Sequence, residues 1–77
     1  MTEDEARALF EAANAKQAQC DYPGCIADFK TLLTYCREVE NKEWEGATYG
    51  NIGNAYDSLG DYQLALDYHK KDLAVAQ

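Results

Sequence analysis

The chain has 77 residues, 47% of them hydrophobic, and its 14 acidic against 7 basic side chains give a formal charge of −7. That length carries one small domain or a piece of a larger one, with no room for a Rossmann unit and its partner or for a barrel. The acidic balance speaks against nucleic acid and anionic membrane, which need Lys and Arg opposite phosphate, and no apolar run approaches the roughly 18–20 residues of a membrane span.

The first residues, Met1-Thr2-Glu3-Asp4-Glu5, are acidic where a secretory signal is basic. A first helix is expected near 3–19. The second, near 22–40, has the clearest pattern in the chain: Tyr22, Cys25, Ile26, Phe29, Leu32, Leu33 and Cys36 recur at i, i+3, i+4, i+7 spacing. Asp21 stands where an N-cap belongs, and Pro23 lies in the first turn, where its missing N–H costs nothing. Glu40-Asn41-Lys42 reads as the turn into a third helix near 43–59, with Trp44, Thr48, Ile52, Ala55, Tyr56 and Leu59 at helical spacing. Gly60-Asp61 breaks that pattern, with Asp61 as the next N-cap. A fourth helix follows near 62–76, with Tyr62, Ala65, Leu66, His69, Leu73 and Ala76 expected on its inward face. No strand alternation occurs, so the fold class is all-α, four antiparallel helices with three short connections.

Cys20, Cys25 and Cys36 are odd in number and do not have zinc spacing, and the one histidine, His69, is remote in sequence. They read as reduced small hydrophobes in a cytoplasmic protein, with neither metal nor cofactor expected. No Ser-His-Asp set, glycine-rich phosphate loop or paired-carboxylate motif stands out, so the chain does not read as an enzyme. The charges at Glu3, Asp4 and Glu5 and at Glu38, Glu40, Glu43 and Glu45 read as solvated surface.

Sliding the chain against itself by 40 residues superposes Asn14-Ala15 on Asn54-Ala55 and Asp21-Tyr22 on Asp61-Tyr62. Glu3, Glu5, Lys30 and Leu33 fall on Glu43, Glu45, Lys70 and Leu73, and Ile26 and Cys25 fall on Leu66 and Ala65. The recurrence of two dipeptides at the same internal spacing marks a true repeat. The units are about 3–40 and 43–77.

Tyr49-Gly50-Asn51-Ile52-Gly53-Asn54-Ala55-Tyr56, then Leu59-Gly60-Asp61-Tyr62, Ala65-Leu66 and Tyr68, resemble the tetratricopeptide repeat (TPR) signature. The resemblance implies two tandem helix-turn-helix TPR units, an α-solenoid fragment occupying 1–77. In it Gly53 permits close helix approach opposite Ala65, Tyr56 and Tyr62 fill the space between helices, and Gly60 permits the tight turn. The 40-residue period exceeds the usual 34. It resembles a subclass with extended helices, the LGN/Pins-type G-protein-signalling modulators, and points to signalling. The first unit departs from the pattern: Ala12-Ala13 stands for Leu-Gly, Lys16 for the inter-helix tyrosine and Cys20 for the turn glycine. Such divergence is expected of a terminal cap, with Lys16 laying its stem on apolar surface.

By resemblance, the first helix of each unit lines a concave peptide-binding groove. Its expected residues are Arg7, Phe10, Asn14 and Gln17 with Asn51, Asn54 and Asp57, beside Glu11, Ala47 and Gly50. The asparagine amides carry both donor and acceptor, suited to gripping the backbone of an extended peptide. Asn14 and Asn51 resemble two members of a carboxylate clamp, but Phe10 stands where that clamp has lysine. The expected partner is a protein or peptide offering backbone groups, an apolar anchor for Phe10 and some positive charge. The alternative is a self-associating helical module, a homo-oligomer formed through the last helix by Leu64, Tyr68 and Val75, the apolar groups expected to face away from the core.

Overall fold

A computed structural model describes the backbone of residues 1–76 and the side chains of residues 1–74. Among the described residues the chain forms four helices and no strand: α1 (Glu3–Ala18), α2 (Tyr22–Glu38), α3 (Lys42–Leu59) and α4 (Tyr62–Ala76). Each helix packs on the next in sequence, α1 on α2, α2 on α3 and α3 on α4, in a slab 33 × 30 × 13 Å. The 13 Å dimension is that of two helix layers, since packed helix axes lie about 8–10 Å apart.

All three turns use one device. After α1, the Asp21 N–H donates to the Lys16 carbonyl (2.8 Å) and the Cys20 N–H to Gln17 (3.0 Å). The same bonds recur from Asn41 to Cys36 (3.0 Å) and Glu40 to Arg37 (3.2 Å), and from Asp61 to Tyr56 (2.9 Å) and Gly60 to Asp57 (3.0 Å). This is the Schellman closure, which satisfies the orphan carbonyls of a helix end and requires one left-handed residue. Cys20 (φ 63°), Glu40 (φ 57°) and Gly60 (φ 84°) supply it. The residue that follows at once caps the next helix: Asp21, Asn41 and Asp61 accept from the N–H groups of Gly24, Trp44 and Leu64. The left-handed residues end α1 and α2 one or two positions earlier than the periodicity suggests. At the amino terminus Thr2 and Glu5 form a reciprocal capping box, Thr2 Oγ1 accepting from Glu5 N (3.2 Å) and Glu5 Oε1 from Thr2 N (2.9 Å). The Thr2 backbone N–H, and after it the Thr2 hydroxyl, hold the Glu5 carboxyl below its ordinary pKa.

The core is the α2 stripe read from the sequence. Cys25, Ile26, Phe29, Leu32 and Cys36 are buried in one cluster with Ala6 and Ala13 of α1 and Ile52 and Ala55 of α3; Leu33 is buried as well, and Tyr22 is half-buried at the margin. Truncating Phe29 or Leu32 to Ala would cost about 2–5 kcal/mol, comparable to the whole stability of a domain this small.

The fourth helix is rolled away from its expected orientation. Ala65 is buried and Tyr68 and His69 half-buried against α3, whereas Tyr62 (70%), Leu66 (49%) and Leu73 (66%), expected inward, are exposed. Leu59, at the end of α3, is exposed as well. Tyr68, expected outward, stacks on Tyr56 with centroids 5.5 Å apart and lies 6.2 Å from Tyr49. The group opposite Gly53 is the His69 ring rather than Ala65: a Cβ on Gly53 would meet ring atoms at 2.9–3.1 Å. The apolar arc of α4 is wider than one neighbour covers. α3 takes the part bearing Ala65, Tyr68 and His69, because the glycines at 50 and 53 let the larger side chains in. The side chains of Val75 and Ala76, assigned outward and inward, lie outside the described residues.

Two outcomes follow. Cys20→Gly and Glu40→Gly should each raise stability by about 0.5–1 kcal/mol, because left-handed geometry costs a side chain about 1–2 kcal/mol and glycine's entropy returns part of that. Gly53→Ala should lower it by about 1–2 kcal/mol, overpacking against His69 outweighing the gain of about 1 kcal/mol in helix propensity. In a His69→Ala background the sign should reverse. Urea midpoints of the variants test both.

Candidate functional site

The face expected to bind a peptide is carried by α1 and α3, which meet through Phe10 and Trp44 (centroids 6.2 Å). Asn14, Asn54 and Asp57 are exposed, while Asn51 and Gln17 are half-buried. At 100° per residue, Ala47, Gly50, Asn54 and Asp57 occupy one arc of α3, with Asn51 at its edge. Arg7, Glu11 and Asn14 likewise share one arc of α1.

Two side chains of this face are already engaged. Phe10 is half-buried, its ring edge-on to Phe29 (5.8 Å) and tilted against Trp44, and Trp44 is in turn edge-on to Tyr35 (6.0 Å). Phe10 therefore ties α1 to α2 and α3, leaving less of its ring for a ligand. Arg7 Nη2 pairs with Glu3 Oε1 one turn back (3.0 Å), both side chains well exposed. The described ion pairs, Arg7–Glu3, Lys16–Asp28 and Arg37–Glu45, include neither Glu11 nor Asp57. The face is thus polar and acidic. A shallow cleft of about 250 Å³ opens beside it at the end of the molecule, lined by Glu3, Tyr35, Val39, Asn41 and Trp44.

A second cluster was not anticipated. Tyr49, Tyr56 and Tyr68 gather where α2, α3 and α4 meet, and three cations border them. Lys30 Nζ donates to Tyr56 Oη (3.2 Å), Arg37 donates to Tyr49 Oη, and Lys71 Nζ lies 4.7 Å from the Tyr68 centroid. The bond to Tyr56 holds the Lys30 ammonium above its ordinary pKa, and the bond to Tyr49 does the same for Arg37. Arg37 Nε also reaches Glu45 (3.6 Å). The signal was present in the repeat. Tyr56 and Tyr68 are the 40-residue partners of Lys16 and Asp28, and Lys16 Nζ pairs with Asp28 Oδ2 at 2.7 Å. One interhelical contact is an ion pair in the first unit and an aromatic stack in the second. The hydrogen bond to Asp28 raises the Lys16 pKa.

The cysteines remain thiols, Cys20 exposed on its turn and Cys25 and Cys36 in the core. Burial pushes the Cys25 and Cys36 thiols up, so neither is an activated nucleophile. Among the described residues no three His, Cys, Asp or Glu side chains are grouped to hold a metal ion, and no helix is long and apolar enough to cross a membrane. A colorimetric thiol reagent should titrate one thiol per chain rapidly under native conditions, at Cys20, and the other two only as the chain opens. Rapid reaction of all three would show that the core is not formed.

Comparison with known proteins agrees with this geometry. The family model described as tetratricopeptide repeat matches residues 4–77, spanning all four helices. No curated protein and no solved structure matches the chain significantly. Two stacked helix pairs repeating every 40 residues, with small residues where the second pair crosses and a match over nearly the whole length, place the chain in the tetratricopeptide repeat family.

Proposed function

We propose that this chain is a non-catalytic scaffold module that holds an extended, basic protein segment against the α1/α3 face. TPR units generally serve protein–protein interaction. The observation that carries the finer reading is the state of the charges and amides on that face. Arg7, its expected cation, is paired with Glu3 at the exposed surface, while Glu11 and Asp57 stand outside the described ion pairs and leave the face with a net negative balance. Asn14 and Asn54 are exposed and Asn51 half-exposed, within reach of a peptide backbone. A carboxylate ligand is disfavoured there, and Lys or Arg flanking a backbone held by the amides is favoured. Phe10 contributes an edge instead of an anchoring pocket. The 40-residue spacing supports the long-repeat, LGN/Pins-like subclass and a signalling adaptor, and three free thiols support a reducing, cytoplasmic setting.

A second reading has its own observation. Leu64, Tyr62, Leu66 and Leu73 leave α4 with exposed apolar surface, which supports self-association through the last helix.

Fluorescence anisotropy with Lys-rich and Glu-rich peptides of matched length tests the first reading. The Lys-rich series should bind, and weaken with added salt. Asn51→Ala with Asn54→Ala should cost about 1 kcal/mol per lost hydrogen bond, about fivefold in Kd for each and about thirtyfold for the pair, while the melting temperature barely moves. Equal binding of the acidic series, or a large fall in melting temperature, would count against the groove.

A further inference from the structure

The internal repeat supplies a template for what covers α4. Its exposed Tyr62, Leu66 and Leu73 are the 40-residue counterparts of Tyr22, Ile26 and Leu33 in α2. In α2 the same positions are covered: Ile26 is 6% and Leu33 7% exposed, and Tyr22 is half-buried. Both helices have a partner on one side, α1 for α2 and α3 for α4. The difference is that α3 also lies on α2. The α4 surface therefore has the chemistry of a helix face built to receive a helix in the position of α3.

The counterpart of α3 in this chain is α1. Against α2, α3 presents Thr48, Ile52 and Ala55, all fully buried, with Trp44 and Tyr49 beside them. Forty residues earlier stand Ala8, Ala12 and Ala15, and all three are exposed. The central positions that the chain buries between its two units are thus open on both outer helices, bulky and apolar on α4 and small on α1, while Asp4 and the half-buried Leu9 stand in the places of Trp44 and Tyr49. The polar contacts of the α2–α3 seam are kept in one partner only: Lys16 replaces the Tyr56 that Lys30 meets, and Gln77 replaces the Arg37 that meets Glu45. Lys70 stands in the place of Lys30 and Glu5 in the place of Glu45. Lys16, in the place of Tyr56, keeps its ammonium on Asp28 of its own chain, so it does not confront Lys70 as an unpaired cation.

We propose that α4 of one chain docks on α1 of a second copy, head to tail, in the manner in which α3 docks on α2 within the chain. The contact rests on the self-association reading above and names its two surfaces. It is heterologous, so it adds copies in an open series instead of closing as a twofold dimer.

Sedimentation equilibrium of the 77-residue chain from micromolar to millimolar concentration, with two variants, tests it. The unaltered chain should show a weight-average mass that climbs past that of a dimer. Leu66→Glu and Ala12→Glu alter exposed positions, so each should keep its helical circular dichroism, and each alone should sediment as a monomer. Mixed in equal amounts they should form a heterodimer and nothing larger, since one retains a working α1 and the other a working α4. Leu73→Glu and Ala8→Glu should behave in the same way and replace the first pair if either loses helix. If the Ala12→Glu chain still dimerises and the mixture gains nothing, α4 pairs with α4: head-to-tail docking is wrong and self-association survives. If the unaltered chain stays monomeric throughout, both are wrong.

Discussion

The architecture depends on a turn in which one left-handed residue is followed immediately by an Asx cap. Cys20-Asp21, Glu40-Asn41 and Gly60-Asp61 each close one helix and start the next without an intervening loop. The closure satisfies the carbonyls that a helix end leaves orphaned, and the cap satisfies an N–H of the helix that follows. With no slack in the connection, the second helix has little choice but to fold back against the first. The turns recur every 20 residues, so each leg has the same length and each pair meets in the same phase. Side chains 40 apart then occupy equivalent places, which is why the repeat can serve as a ruler for burial and contact.

Equivalent places are filled by different chemistry. At the α1–α2 crossing Lys16 meets Asp28, and at the α3–α4 crossing Tyr56 meets Tyr68. The aromatic pair buries more apolar area and gains from offset stacking. The ion pair is partly exposed, and such pairs contribute little net stability. Ala13 in the first unit corresponds to Gly53 in the second, where His69 takes the space a methyl would need. The second crossing is thus the tighter one.

Much of this was legible in the sequence because the signals were local. The α2 stripe, two Asx caps and the 40-residue self-match each depend on residues close together or on a fixed period, and all reappear in the structure. The roll of α4 was not legible. Its apolar positions span an arc broad enough for two neighbours, and periodicity cannot say which half the one present will take. The deciding feature lies on another helix: the glycines of α3 admit His69 and bring Asp72 within contact of Gly50, and Tyr68 follows them inward. The candidate site was legible to a similar degree. The exposed amides could be placed on faces by spacing, but the capture of Arg7 by Glu3 and the wedging of Phe10 against Phe29 and Trp44 are contacts that spacing alone does not rank.

Contacts that run mainly between sequential helices, with the Phe10–Trp44 pair the exception, give a nearly one-dimensional molecule. Its inner helices α2 and α3 each have two principal neighbours, and α1 and α4 have one. In such a stack the face proposed to bind a segment and the face proposed to dock a second copy lie on different sides of the same helix. On α1, Ala8, Ala12 and Ala15 stand about 100–160° around the axis from Asn14, at 100° per residue. A helix seated on the alanine side would therefore leave the asparagine side open. It would also bring the α1/α3 face of one unit pair alongside that of the next, extending the acidic, amide-bearing surface in the direction an extended segment would run. A longer segment could then engage several copies at once, and its affinity would rise through effective concentration with no new kind of contact.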